Sequence, residues 1–253
     1  MALKYGRRFG CEFEFTSEWD HIRPMAIAAI EKFYGDGHLV AKKSWFRSVD
    51  NDVWHLKTDA STGCELCTPV STIKDLSKVC NVVRAIGKDA VVSKQDSLHV
   101  HVGIPDVDPI NVVIAWLLIE RQIILCFPKH RQSNFDYCPR LLRYKGNKKN
   151  IATFYQDAAS SASDHHSSMS TFRYGKNKTV EFRMCEGSID RKTIMSWVKT
   201  CMSICEYAKN IDPIDELCAA GYASTLHDVC RRLKLNDSIS EWLSNRYCGI
   251  LDV

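Results

Sequence analysis

Alternation of polar and apolar positions is the strongest signal along this chain, and it recurs in separated segments. "FGCEFEF" sets Cys11, Phe13 and Phe15 against Glu12 and Glu14. "SLHVHVG" sets Leu98, Val100 and Val102 against His99 and His101, and "KTVEFRMCEG" sets Val180 and Phe182 against Glu181 and Arg183. Successive side chains on a strand point to opposite faces, so each segment predicts a strand with one buried face and one ionisable face. A further segment, "WHLKTDASTGCELCTP", offers Asp59 and Glu65, with a turn expected at Thr62 and Gly63.

Between these strands the pattern becomes helical. The apolar run from Ile110 to Phe127 carries Asn111, Glu120, Arg121 and Gln122 and barely reaches membrane-spanning length, so it predicts a buried core helix. Asp108 and Pro109 open it as N-cap and first helical residue, and Pro128 closes it. Helices are also expected from Pro24 to just before Gly35 and from about Ser71 to Gly87. Residues 191–253 read as helical, with Ser238 and Glu241 as a capping box. Glu120 is expected to be charge-paired on a partly exposed helix face, the alternative being that it reaches a site from behind. Residues 138–170 are basic and then small and polar, which predicts a long excursion from regular structure. Its segment "RLLRYKGNKKN" reads as a solvated loop, with a clamp over an anion as the functional alternative. The adjacent His165 and His166 are expected on the loop surface.

Composition adds bounds. A chain of 253 residues, 45% hydrophobic and 25% charged, suits one globular domain spanning 1–253. A net charge of +4 is compatible with anionic small molecules and too weak to argue for nucleic acid. The N-terminal stretch lacks the uninterrupted apolar region of a signal peptide, so a cytoplasmic location is expected, with the 12 cysteines as free thiols. Cys64 and Cys67 form a C-x-x-C without a second pair at zinc-ribbon spacing. On a strand their sulfurs would face opposite ways, so both are read as structural.

The chemistry lies in the polar faces. Carboxylates two apart on a strand raise each other's pKa unless a cation neutralises them. A single such strand is ordinary for a sheet with one wet face. Four segments offering Glu12, Glu14, Asp59, Glu65, His99, His101, Glu181 and Arg183 point instead to a site. An oxygen-dominated set with one or two imidazoles suits Mg²⁺ or Mn²⁺ better than zinc. Arg183, two residues from a carboxylate, is placed to contact a phosphate. The chain has no P-loop and no G-x-G-x-x-G motif, so a nucleotide would be bound by other means.

In this order and spacing, "FGCEFEF", "WHLKTDASTGCELCTP", "SLHVHVG", "FPKHRQSNF" and "TVEFRMCEGSID" resemble the amidoligase family, from about Tyr5 to Trp197. That family comprises carboxylate-amine ligases of the glutamine synthetase and glutamate-cysteine ligase superfamily. The resemblance implies an α+β fold with an antiparallel sheet lining a funnel, helices on the opposite face, and a site for ATP and two or more Mg²⁺ ions. It implies metal ligands at Glu12, Glu14, Glu65, His99 and Glu181. It gives Asp59 and Glu65 contact with metal or amine, His99 or His101 a place at metal or nucleotide phosphate, and Arg183 the transferring phosphoryl group. Arg131 would contact substrate or phosphate, although His130 stands where family members often carry Ser. The implied reaction activates a carboxylate as its acyl phosphate and then couples an amine, with Asp59 or Glu65 as the base. Small-molecule or peptide acids and an amine would be the partners, no membrane is expected, and association into a homo-oligomer stays open. Two other readings compete: a zinc hydrolase built on His99 and His101, and a non-catalytic protein gripping a polyanion through the basic segment at 140–150.

Overall fold

The computed structural model describes residues 6–44, 51–59, 63–132, 141, 159–160, 162–164, 166–172, 174–212, 215–216 and 221–248. The elements are β1 (Phe9–Phe15), α1 (Trp19–Tyr34), β2 (Leu39–Lys42), β3 (Trp54–Asp59), β4 (Gly63–Cys67), α2 (Leu76–Ile86), β5 (Ser97–Gly103) and α3 (Pro109–Ile123). They continue with α4 (Lys129–Gln132), β6 (Met169–Ser170), α5 (Tyr174–Asn177), β7 (Thr179–Glu186), α6 (Arg191–Lys209), α7 (Leu226–Arg232) and α8 (Asp237–Arg246). The strands join in one seven-stranded sheet, in the order β2-β3-β4-β1-β5-β7-β6. The fold is therefore α+β with a helical C-terminal part, as the sequence pattern predicts. One pairing departs from the antiparallel expectation: β2 runs parallel to β3. A parallel neighbour cannot be reached through a tight turn, and the chain uses residues 43–53 to return. The chain divides into two compact units, one of Gly6–Val100 with Cys185–Val198, the other of His101–Met184 with Lys199–Val253.

In the first unit the apolar sides of the central strands are fully committed to the core. Phe13, Phe15, Trp54, Leu56, Cys64 and Leu66 are all buried. Helix α1 packs against α2 and against β2, β3 and β4. It begins five residues before Pro24, because Trp19 and Ile22 extend the buried stripe that Ala26, Ala29 and Ile30 continue. Pro24 therefore sits inside the helix. Helix α2 begins later than the sequence suggests, since Ser71 exchanges backbone hydrogen bonds with Phe9 at 2.8 and 2.9 Å. Thr72 then donates its N–H and hydroxyl to Asp75. Gly63 opens β4 at φ +116°, where a Cβ would stand 3.1–3.2 Å from the carbonyl oxygens of Phe15, Thr16 and Ser17.

A buried carboxylate ties strand ends together in this unit. Asp96 is wholly buried. Its Oδ2 accepts hydrogen bonds from Thr16 N at 3.2 Å, Thr16 Oγ1 at 2.9 Å and Ser93 N at 2.5 Å. Its carbonyl accepts from Gly187 N at 2.8 Å. A Cβ at position 187 would lie 2.7 Å from Val92 and 2.8 Å from Asp96, so the close approach requires glycine.

In the second unit α3 is the core element, buried around nearly its whole circumference. Asp108 caps it by accepting from Ile110 N, and it runs on through a 3₁₀ turn at Ile124–Cys126. The segment Pro109–Cys126 is long and apolar enough to cross a membrane, yet 78% of it is buried inside the protein. Glu120 corrects the sequence reading: it is buried, and its Oε1 accepts from Trp116 Nε1, Ser168 Oγ and the N–H of Leu141. Helix α8 is capped by Asn236, which accepts from Ile239 N, two residues before the expected Ser238. The basic segment 142–150 and His165 lie outside the described residues, and His166 is exposed as expected.

The Asp96 clamp has a measurable weight. Replacing Asp96 with Ala leaves Ser93 N without its acceptor, while Thr16 N and Oγ1 keep Val91 O and Ser93 Oγ, and the expected loss is about 2 kcal/mol of unfolding free energy. Chemical denaturation at neutral pH checks it.

Candidate metal and phosphate site

Strand register builds the polar face of the first unit. Glu14 stands opposite Glu65 across the β1–β4 pairing, and Glu65 stands opposite Lys57 across β4–β3. One step along, Glu12 stands opposite Cys67, and Cys67 opposite His55. Residues directly opposite in an antiparallel pair share a face, so two rows result: Lys57, Glu65, Glu14 and His55, Cys67, Glu12. Strand β5, next to β1 in the sheet, adds His99.

Like charges directly opposite each other are destabilising, so Glu14 and Glu65 need neighbouring cations. Lys57 Nζ lies 2.7 Å from Glu65 Oε1. His99 faces both glutamates of β1, with Nδ1 3.3 Å from Glu12 Oε2 and Nε2 3.6 Å from Glu14 Oε1. The face is dry: Glu14, Glu65, His55 and His99 are all below a tenth exposed, and Glu12 is the most open at 25%.

Burial governs the electrostatics of this face. Burial first, and then the charge of Glu12, push Glu65 up from 4.5 to about 7, against the pull of Lys57 and the Cys67 hydrogen bond. Lys57 is held above its usual range: burial opposes its charge, and Cys67, Glu65 and Glu12 more than compensate. An ion pair alone would lower its carboxylate, so the rise at Glu65 shows that desolvation and crowding outweigh a single ammonium. Burial and the Glu65 and Glu12 charges likewise push the Cys67 thiol well up. That thiol donates to Glu65 Oε1 at 3.0 Å.

The second unit carries the other sequence-predicted residues. Glu181 and Arg183 alternate along β7 and form an ion pair through Glu181 Oε1 and Arg183 Nη1. Ser170 of β6 stands opposite Glu181. Arg131, on α4, is buried and donates from Nη2 to the carbonyl of Arg183 and from Nε to that of Met184 at 3.4 Å. It thus fixes the β7 backbone at the position from which Arg183 projects. His101, two residues beyond His99 on β5, falls in this unit and is half-buried. Asp59 ends β3, paired with Gly63, and its side chain lies outside the described atoms.

Register thus brings together Glu12, Glu14, Glu65 and His99 from the sequence-predicted set, and separately Glu181, Arg183 and Arg131. It also supplies Lys57 and His55, which sequence reasoning passed over, and it puts Cys67, read from the sequence as structural, on the same polar face. Their signal was available: His55 and Lys57 alternate with Trp54 and Leu56, and Cys67 with Leu66. As donors, three carboxylates and one imidazole fit a hard divalent ion such as Mg²⁺ or Mn²⁺. Glu12, Glu65 and Cys67 each offer one ligand atom, all within 4.8 Å of one another.

The sequence comparison supplies the class of the protein, a ligase. The profile of the amidoligase enzyme family matches residues 5–205, and the chain belongs to that family. No curated protein matches it.

The raised Glu65 fixes a pH dependence. In the metal-free fold Glu65 holds its proton to about 7, whereas the unfolded chain releases it near 4.5. Within that window the folded state binds more protons, so stability falls as pH rises from about 4.5 to about 7 and levels off above. Urea unfolding across pH 4–9 with chelator present should show this slope, and Glu65→Gln should flatten it.

Proposed function

We propose that the protein is an ATP- and Mg²⁺-dependent carboxylate-amine ligase acting through an acyl-phosphate intermediate. The observation that carries the reading is the register of β1, β4 and β3, which gathers Glu12, Glu14 and Glu65 beside His99 on one face. Membership of the amidoligase family supplies the reaction class.

In this reading Glu12, Glu14, Glu65 and His99 hold divalent ions, two or more in number, with Mn²⁺ as a substitute. Glu181 is the further ligand that the resemblance assigns. The ions supply charge neutralisation for phosphates. His99, set against Glu12 and Glu14, fixes the orientation of both carboxylates before any ion arrives. Arg183 meets the transferring phosphoryl group, held by its pairing with Glu181 and by the grip of Arg131 on the backbone. His101 and Arg131 keep their assigned contacts with phosphate or substrate as part of this proposal. Asp59 or Glu65 takes the proton from the attacking amine. The partners are then a small-molecule or peptide acid and an amine, in the cytoplasm, where the described cysteines would stay free thiols as they are here. Homo-oligomer formation belongs to the same proposal.

The zinc-hydrolase alternative is weaker, because His99 stands among carboxylates, an oxygen-rich donor set that suits Mg²⁺ or Mn²⁺ better than zinc. The polyanion reading rests on a segment outside the described residues.

The test is ADP release from the purified protein with Mg²⁺ over a matrix of paired acids and amines. Turnover should need one member of each, and Glu12→Gln combined with Glu181→Gln should lower it by about 100-fold or more. A folded protein that binds no nucleotide at millimolar Mg²⁺ and releases no ADP with any pair would overturn the proposal.

A further inference from the structure

Three charged side chains are buried among the described residues of the second unit: Glu181, Arg131 and Glu120. Glu181 pairs with Arg183, and Arg131 grips the backbone of β7. Glu120 has no role yet, although it stands in the core helix α3 directly after the buried Leu117, Leu118 and Ile119. A carboxylate there is costly unless its hydrogen bonds are used, and an apolar residue of similar size would pack as well. What Glu120 contributes must therefore lie in the groups it binds.

Those groups converge on the stretch of β7 around Arg183. Glu120 Oε1 accepts from Ser168 Oγ at 2.5 Å, from Trp116 Nε1 at 3.1 Å and from Leu141 N at 3.0 Å. The same indole N–H lies 3.1 Å from Ser168 Oγ, so carboxylate, hydroxyl and indole hold one another. Ser168 immediately precedes β6, and the register that pairs Met169 with Phe182 brings it to Arg183. Its carbonyl accepts from Arg183 N at 2.9 Å. Trp116 meets Phe182, the residue before Arg183, edge to face with ring centroids 5.6 Å apart. The Arg183 carbonyl in turn accepts from Arg131 Nη2 at 2.5 Å. The backbone of Arg183 is thus held at both ends, by Arg131 at its carbonyl and, through Ser168, by Glu120 at its N–H.

We infer that Glu120 is a positioning residue for Arg183, fixing through Ser168 and Trp116 the part of β7 from which that guanidinium projects. The inference rests on the reading of Arg183 as the contact to the transferring phosphoryl group. Glu120 itself touches no substrate. An arginine side chain has many rotamers, so its aim depends on the backbone that carries it and on the groups that lock that backbone. Hydrogen bonds to a carboxylate are shorter and stronger than those between neutral groups, which gives the charge in the α3 core a use that packing alone does not.

ATP and ADP differ by the γ-phosphoryl group, so the ratio of their affinities, titrated calorimetrically with Mg²⁺, reports contacts to that group. The native protein should bind ATP more tightly than ADP, and Arg183→Ala should lower the ratio by about 10-fold. Glu120→Leu, which keeps bulk and removes the acceptor, should lower it by about 3- to 10-fold in the native background and leave it unchanged where Arg183 is already Ala. Ser168→Ala, with the same expectations, serves if Glu120→Leu does not give the native circular dichroism spectrum. A folded variant that keeps the native ratio, weakens ATP and ADP equally, or lowers the ratio as much in the Arg183→Ala background overturns the inference and leaves the ligase reading intact. No nucleotide binding by the native protein, equal binding of ATP and ADP, or a native ratio in Arg183→Ala overturns the phosphoryl role of Arg183 and the inference together.

Discussion

The structure turns on placing three carboxylates side by side on a sheet face with little water. Glu14 and Glu65 are cross-strand neighbours, and Glu12 is one step along. Such an arrangement is unfavourable in isolation, through both repulsion and lost hydration. It persists because β3 brings Lys57 beside Glu65 and β5 brings His99 between Glu12 and Glu14. The order of strands in the sheet is therefore part of the electrostatics. Moving β3 or β5 by one residue would turn Lys57 or His99 to the other face and leave the carboxylates uncompensated.

The opposite face explains how the unfavourable one is tolerated. Phe13, Phe15, Trp54, Leu56 and Leu66 bury against helices, and the alternation of strand side chains makes that burial inseparable from display of the glutamates. The hydrophobic gain of one face thus offsets the electrostatic cost of the other. Asp96 secures the same frame from the strand ends, linking Thr16 after β1 to the segment that leads into β5. Burial and the charge of Glu12 express themselves on this face as a raised Glu65.

Much of this was legible in the sequence, because a period of two is a direct consequence of strand geometry. Glu12, Glu14, Glu65, His99, Glu181 and Arg183 stand on the strands that alternation predicts, and the α3 cap at Asp108 follows from the aspartate-proline pair. The helix starts were less legible. Pro24 looked like a first residue, but the buried stripe through Trp19 and Ile22 decides the start of α1. Glu120 looked partly exposed on charge alone, and three donors, Trp116 on its own helix with Ser168 and Leu141 from distant segments, make its burial tolerable. Pairing partners were the least legible, since which strand lies beside which is a tertiary fact. Lys57 alternates as visibly as Glu12, yet nothing local says that it stands opposite Glu65.

Lys57 and His99 differ in kind, because an ammonium carries a fixed charge here and an imidazole is charged only when protonated. Lys57 is tethered to its strand and is held charged by Cys67, Glu65 and Glu12, so it stays wherever the sheet is folded. His99 serves two carboxylates at once only when both ring nitrogens carry protons. Loss of one proton frees a nitrogen lone pair between Glu12 and Glu14, which is the donor a divalent ion requires. In the proposed function an ion arriving there would take the place of that proton. Lys57 offers no such exchange, because an ammonium has donors and no acceptor. The lysine row therefore supplies a fixed charge to the face, and the proposed metal role falls to the histidine between Glu12 and Glu14.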